Sequence, residues 1–170
     1  ENWQQAEAGV YNLQAVWQQT KTIVGEKKGV READRAIGKL AASIIDKKAA
    51  PAYENLNRFM HGVSEIGKSY KLSPVADIAA VGNAVRSVSF YVEENNWAKA
   101  AVKARELENT WDRAKPGMEQ FGVLGAVTTA HSQVKQLKDA VLAENKGAAN
   151  GQIANLNESL GRIRNFYRGR

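Results

Sequence analysis

The chain has 170 residues, contains no cysteine and carries a formal net charge of +6. A chain of this length fits a single domain, residues 1–170, and buries enough apolar surface to fold without a metal ion. The absence of cysteine excludes disulfides, thiolate nucleophiles, cysteine-ligated zinc and covalent haem attachment, and no run of about 18 apolar residues is present to span a membrane.

Apolar residues recur in steps of three and four along almost the whole chain, which predicts amphipathic helices. In chain order the stripes cover 3–17, 33–44, 56–70, 81–92, 97–111, 127–141 and 153–167. Ser73 and Pro74 are typical of the N-cap and first residue of the fourth helix. Pro51 and Pro116 mark the start of the third helix and the end of the fifth. No segment alternates like a strand, so we predict an all-α helical bundle of about seven helices.

The first helix returns 94 positions later, which indicates an internal duplication. Five residues match at identical spacings: Trp3, Ala6, Leu13, Trp17 and Lys21 align with Trp97, Ala100, Leu107, Trp111 and Lys115. The offset then becomes 97 in the next helix, and 100 where Asn55-Leu56-Asn57 matches Asn155-Leu156-Asn157. We therefore expect insertions around 25–30 and 146–151. The prediction is two three-helix repeats, about 1–70 and about 96–168, with a bridging helix over about 73–94.

One segment has the letters of a phosphate-binding loop. Gly62-Val63-Ser64-Glu65-Ile66-Gly67-Lys68-Ser69 fits G-x-x-x-x-G-K-[ST], a motif that works when a glycine-rich loop joins a strand to a helix. Here the preceding residues carry a helical pattern, and Val63 and Ile66 continue it. We therefore expect a chance match on a helix, and no nucleotide partner.

The histidines and tryptophans do not form a recognisable catalytic set. His61 and His131 lack the Glu-x-x-His spacing of helical di-iron sites and the H-E-x-x-H spacing of zinc proteases. We expect both histidines to be polar residues at the boundary of the core, and we expect no metal, no cofactor and no enzymatic activity.

The four tryptophans lie on the apolar stripes, where indoles usually form part of the core. They are Trp3, Trp17, Trp97 and Trp111. The alternative is an aromatic groove between the repeats that binds a small ligand.

Four arginines cluster at the end of the chain: Arg162, Arg164, Arg168 and Arg170. Such a basic end either aids solubility or contacts an anionic surface. We expect no specific recognition of nucleic acid by it.

The second repeat resembles an uncharacterised family of small helical extracytoplasmic, lipoprotein-like proteins from Firmicutes. The resemblance rests on the string 94–100, Glu-Asn-Asn-Trp-Ala-Lys-Ala, followed by Leu107, Trp111 and, after a break, His131. Proteins of that family share a Trp-x-x-Ala helix, a second tryptophan about fourteen residues later, and a histidine that opens the next helix. In the first repeat Asp34 stands near the place of that histidine. The resemblance implies an extracytoplasmic location but no known activity.

Two functional hypotheses follow. The first is a non-enzymatic extracytoplasmic protein that binds an anionic component or another protein at the bacterial envelope. Because the chain begins at Glu1 without an initiator methionine, we expect that a signal segment or membrane anchor preceded it. The second is the ligand-binding module with an aromatic groove.

Overall fold

The computed structural model of the protein describes residues 2–70, 74–119 and 123–168, and these form seven helices without strands. The helices are α1 (Trp3–Val24), α2 (Val30–Ile45), α3 (Ala49–Ser69), α4 (Val75–Glu93), α5 (Trp97–Glu119), α6 (Leu124–Leu142) and α7 (Lys146–Arg168). The all-α prediction is confirmed. Within the described ranges, no helix is long and apolar enough to cross a membrane.

The chain divides into two compact units, Glu1–Leu72 and Ser73–Arg170. In unit 1, α2 packs against both α1 and α3. In unit 2, each of the four helices packs against two neighbours, so that α4, α5, α6 and α7 close a four-helix bundle. The helix that we predicted as a bridge, α4, thus belongs to unit 2, where it packs on α5 and α7. The duplication of a three-helix repeat stays a prediction.

Three helix pairs are joined by the same tight turn. Lys47, Asn95 and Glu144 each adopt the left-handed conformation, with φ between 53° and 55°. In every case the N–H of the next residue donates to a carbonyl five positions earlier, at 2.9–3.0 Å, which is the Schellman pattern of a helix C-terminus. The pairs α2–α3, α4–α5 and α6–α7 are therefore equivalent helical hairpins, and α4 is the first arm of one of them.

The turns also correct the predicted insertion around 146–151. Lys47 and Glu144 are 97 positions apart, and so are the first residues of α3 and α7, Ala49 and Lys146. The α2–α3 and α6–α7 connections have the same length, so no residue is inserted there. The Asn-Leu-Asn match at an offset of 100 was misleading because a shift of three residues is close to one helical turn and keeps apolar stripes in phase.

Two proline assignments also need correction. Pro116 does not end α5, which continues to Glu119. The turn beyond Pro116 is held because the Met118 side chain is fully buried and the Tyr167 hydroxyl donates to the Met118 carbonyl at 2.8 Å. Pro74 precedes α4, which begins at Val75, and Ser73, its predicted N-cap, lies outside the described residues.

Unit 1 contains a close crossing between the start of α2 and the middle of α3. Gly29 has a φ of 95°, and a Cβ placed there would clash with the Gly62 carbonyl oxygen. A Cβ on Gly62 would lie 2.7 Å from the Gly29 oxygen and 2.8 Å from the Ala33 nitrogen. The two backbones therefore approach so closely that both positions require glycine.

An ion-pair cluster holds the same crossing together. Glu65 on α3 accepts from Lys28 of the α1–α2 connection at 2.9 Å and from Lys68 at 2.7 Å. The Glu65 side chain is largely buried, whereas that of Lys28 is 84% exposed. The hydrogen bonds from Lys28 and Lys68 lower the pKa of Glu65 from its ordinary 4.5 to about 2.

We expect the Glu65→Gln variant to be less stable than the wild type by about 1 kcal/mol at neutral pH. The expected loss is small because solvent screens the charge of the exposed Lys28. Because the folded pKa lies below the unfolded one, the carboxylate stabilises the fold above about pH 4.5, and this contribution is lost as the pH falls towards 2. Urea unfolding at several pH values measures the difference. Glu26→Gln, in the same connection, is the control and should stay within about 0.5 kcal/mol of wild type. A difference for Glu65→Gln that persists unchanged below pH 2 would contradict this assignment.

Candidate functional site

The structure places all four tryptophans at least partly inside their own units. Trp17 and Trp111 are 3% and 0% exposed. Trp3 and Trp97 are half-buried and pack at the edges of the cores of unit 1 and unit 2. Trp17 also meets Phe59 of α3 edge to face, with ring centroids 5.4 Å apart. This placement is the one expected for core residues.

The two buried indoles are paired with polar groups at corresponding places. Trp17 Nε1 donates to Asp34 Oδ1 at 3.0 Å, and Trp111 Nε1 donates to His131 Nδ1, also at 3.0 Å. Asp34 thus takes the place of the histidine, 97 positions before it. Lys21 also donates to Asp34 at 2.9 Å, and the hydrogen bonds from Lys21 and Trp17 lower the pKa of Asp34.

The histidines lie in different units and have separate partners. His61 Nδ1 lies 3.1 Å from Glu32 Oε2 at the exposed surface of unit 1, whereas His131 serves the buried indole of unit 2. No group of three histidine, aspartate or glutamate side chains within the described ranges is arranged to hold a metal ion. The presence of His131 is therefore explained by its hydrogen bond with the indole N–H of the buried Trp111.

The segment that resembles a phosphate-binding loop lies within the continuous helix α3. Gly62 packs against Gly29, Lys68 pairs with Glu65 at 2.7 Å, and the Ser69 hydroxyl donates to the Ile66 carbonyl. Gly62, Lys68 and Ser69 thus have local structural roles, and the backbone N–H groups of a helix interior are not aimed at a ligand.

The C-terminal arginines lie on or beyond α7. Arg162 pairs with Glu158 one helical turn earlier, at 2.6 Å. Arg164 is half-buried. The side chain of Arg168 and the whole of Arg170 lie outside the described residues, so a shared surface of the four arginines stays a prediction.

Unit 1 contains a group of positive charges that is larger than the group of four C-terminal arginines and that was not predicted from the sequence. An open groove of about 1100 Å³ runs along α2 from the α1–α2 connection to α3. Seven basic and three acidic side chains line it: Lys21, Lys27, Lys28, Arg31, Arg35, Lys39 and Arg58, with Glu26, Glu32 and Asp34. The lining therefore has a formal net charge of +4.

Four of these cations are unpaired within the part of the chain that the structure describes. Lys21 and Lys28 are paired with Asp34 and Glu65, and Lys27 lies over the Tyr70 ring. The remaining four are Arg31, Arg35 and Lys39 on α2 and Arg58 on α3. Their side chains make no ion pair or hydrogen bond with a described residue, and all four residues are exposed. We refer to these four residues as the basic face.

Comparison with known proteins gives no further guide. None of the family models, curated proteins or solved structures matches this chain. The second unit of the chain supplies an internal comparison, because α2 and α6 correspond at an offset of 97. At that offset the basic face is replaced by uncharged residues in every position: Thr128, Ser132, Gln136 and Asn155.

This difference shows that the helical framework does not need the basic face. α6 and α7 are continuous helices with the uncharged residues. Two signals in the sequence could have identified the basic face. The first is the i, i+4, i+8 spacing of Arg31, Arg35 and Lys39, which places them on one side of a helix. The second is the absence of charge at their counterparts.

Proposed function

We propose that this protein is a non-enzymatic, extracytoplasmic helical protein that binds an anionic component of the bacterial envelope through the basic face of unit 1. The observation that carries the proposal is the set of four exposed, unpaired cations in one groove, whose counterparts in unit 2 are uncharged. The extracytoplasmic location rests on the sequence resemblance, and the anionic partner on the charge.

Clustering matters because the attraction between exposed charges is short-ranged. At physiological ionic strength it is screened over about 8 Å, so cations scattered over a surface act separately. Arg31, Arg35 and Lys39 are separated by about 6 Å per step along α2, and Arg58 lines the same groove from α3. The four positive charges therefore act together on an anion in the groove.

The alternative function, a ligand site in an aromatic groove, receives less support. Trp17 and Trp111 are buried, and their indole N–H groups already donate to Asp34 and His131. A groove built from the tryptophans would thus have only Trp3 and Trp97 with partly exposed rings. The geometry supports a packing role for the other two.

The test replaces the basic face by its own counterparts from unit 2. The neutral-face variant carries Arg31→Thr, Arg35→Ser, Lys39→Gln and Arg58→Asn. Wild type and variant are sedimented with isolated bacterial envelope material at low and physiological salt. Since each cation near an anionic surface contributes about 1 kcal/mol, the loss of four corresponds to about 4 kcal/mol, and we expect the neutral-face variant to bind roughly 1000-fold more weakly. Its helix content and melting should stay close to wild type.

A matched variant distinguishes the effect of the basic face on binding from the effect of the protein's net charge. Substitution by Gln at Arg162, Arg164, Arg168 and Arg170 also removes four positive charges, but from residues 162–170. We expect this C-terminal variant to keep most of the binding. Loss of binding in the C-terminal variant, with full binding by the neutral-face variant, would instead place the contact at the basic end. Negligible sedimentation of the wild-type protein at low salt would reject the proposed function.

A further inference from the structure

We propose that the basic face binds an unbranched phosphodiester chain that carries no aromatic groups, such as a polyol-phosphate polymer. This inference rests on the proposed function and specifies its ligand. The first observation is linear order. Arg31, Arg35 and Lys39 follow one another along about 12 Å of one side of α2, which suits an anion that repeats along a chain better than a single small anion.

The second observation is the concave shape of the site. Arg58 lines the groove from α3, whereas the other three residues of the basic face lie on α2, so a ligand is contacted from two helices. A narrow polymer chain can enter such a groove, whereas a planar membrane contacts only the side chains that protrude from the protein surface. Three of the four cations are arginines, whose planar guanidinium groups form paired hydrogen bonds with two phosphate oxygens.

The third observation is the chemistry of the other residues in the groove. The only side chains of the lining that are apolar are Val30 and Ala36, and both are buried. The groove thus offers nothing to insert into the apolar part of a bilayer, and it lacks the buried apolar area that strengthens interfacial membrane binding. It also has no aromatic lining residue, whereas sites for single-stranded nucleic acid stack bases on aromatic rings.

The carboxylates of the groove do not oppose an anionic chain strongly. Asp34 is paired with Lys21 at 2.9 Å, and Glu32 lies 3.1 Å from His61 Nδ1. Within the described ranges Glu32 contacts an imidazole rather than a lysine or arginine, and Glu26, which has no ion-pair partner there, lies in the α1–α2 connection rather than along α2. Along α2 the three cations Arg31, Arg35 and Lys39 therefore outnumber the one carboxylate, Glu32, that has no ion-pair partner among the described lysines and arginines.

The experiment measures binding of the full chain to four probes. These are purified poly(glycerol phosphate), glycerol 3-phosphate, an oligothymidylate and vesicles of phosphatidylglycerol with phosphatidylcholine. We expect poly(glycerol phosphate) to bind more tightly than the other three. For four cations on a flexible polyanion, the logarithm of its association constant should fall with the logarithm of salt concentration with a slope of about −3. The neutral-face variant should show a slope near zero and at least a tenfold loss of affinity.

A transplant variant provides the positive control. The neutral-face variant is given the same four cations in unit 2, through the substitutions Thr128→Arg, Ser132→Arg, Gln136→Lys and Asn155→Arg. We expect these substitutions to restore binding of the phosphodiester chain to within about tenfold of wild type, because binding depends on how the charges are arranged relative to one another. Vesicle binding without binding of poly(glycerol phosphate) would overturn the inference and leave the proposed function in place. Equal affinity for the oligothymidylate, or chain binding that the neutral-face variant retains, would also overturn it. Binding of no probe, together with no sedimentation on envelope material, would reject both proposals.

Discussion

Trp111→Ala is expected to lower the free energy of unfolding by about 3–5 kcal/mol, because it removes a fully buried indole and leaves a cavity in the core of unit 2. The loss includes the hydrogen bond to His131, whose imidazole would keep an unpaired nitrogen. Trp17→Ala should cause a loss in the same range, since Trp17 is 3% exposed and packs on Phe59. Urea unfolding followed by helical circular dichroism measures both.

The control for Trp111 lies on the same helix. Val102 is 50% exposed, so Val102→Ala should change stability by less than about 0.5 kcal/mol. Trp111→Phe keeps most of the apolar volume but removes the N–H donor, and we expect an intermediate loss of about 1–3 kcal/mol. Unfolding of Trp111→Ala that matches wild type would contradict the core assignment. Under the aromatic-groove hypothesis, the alanine variants would instead lose ligand binding with little change in stability.

The pairing of Trp111 with His131 illustrates what the sequence predicts well. Helices are encoded locally, since apolar residues at steps of three and four define each buried face. The positions of Trp17 and Trp111 on those faces therefore predicted their burial. The sequence also placed Asp34 opposite His131 in the repeat alignment, but it did not predict that both side chains accept a hydrogen bond from a buried indole. That contact joins different helices, and the distance between them depends on packing.

The features that the sequence did not predict are those that do not depend on helix periodicity alone. A shift of three residues leaves an apolar stripe nearly in phase, which is why the alignment predicted an insertion near Lys146 that the structure does not have. Pro116 removes one backbone hydrogen bond but does not end a helix that burial holds beyond it. The basic face was missed because charge at the surface obeys no packing rule, and only the α2–α3 arrangement brings Arg58 beside the cations of α2.

Gly62→Ala is expected to destabilise unit 1 by about 3 kcal/mol. The added methyl group would lie 2.7 Å from the Gly29 carbonyl oxygen and 2.8 Å from the Ala33 backbone nitrogen. Both of these are backbone atoms, which cannot rotate away as a flexible side chain does. The start of α2 would therefore have to move off α3, and the pairing of Lys28 with Glu65 would be strained at the same time.

Gly38→Ala is the matched control for this substitution. Gly38 lies within α2, is exposed, and would have no atom within 4 Å of an added Cβ. Alanine is favoured over glycine in a helix interior, so this variant should be more stable than wild type by about 0.5–1 kcal/mol. Opposite signs for Gly38→Ala and Gly62→Ala would show that the glycine of the phosphate-loop-like segment serves the crossing of two helices. Stability gained in both variants would mean that the crossing is looser than described, and that the motif needs another explanation.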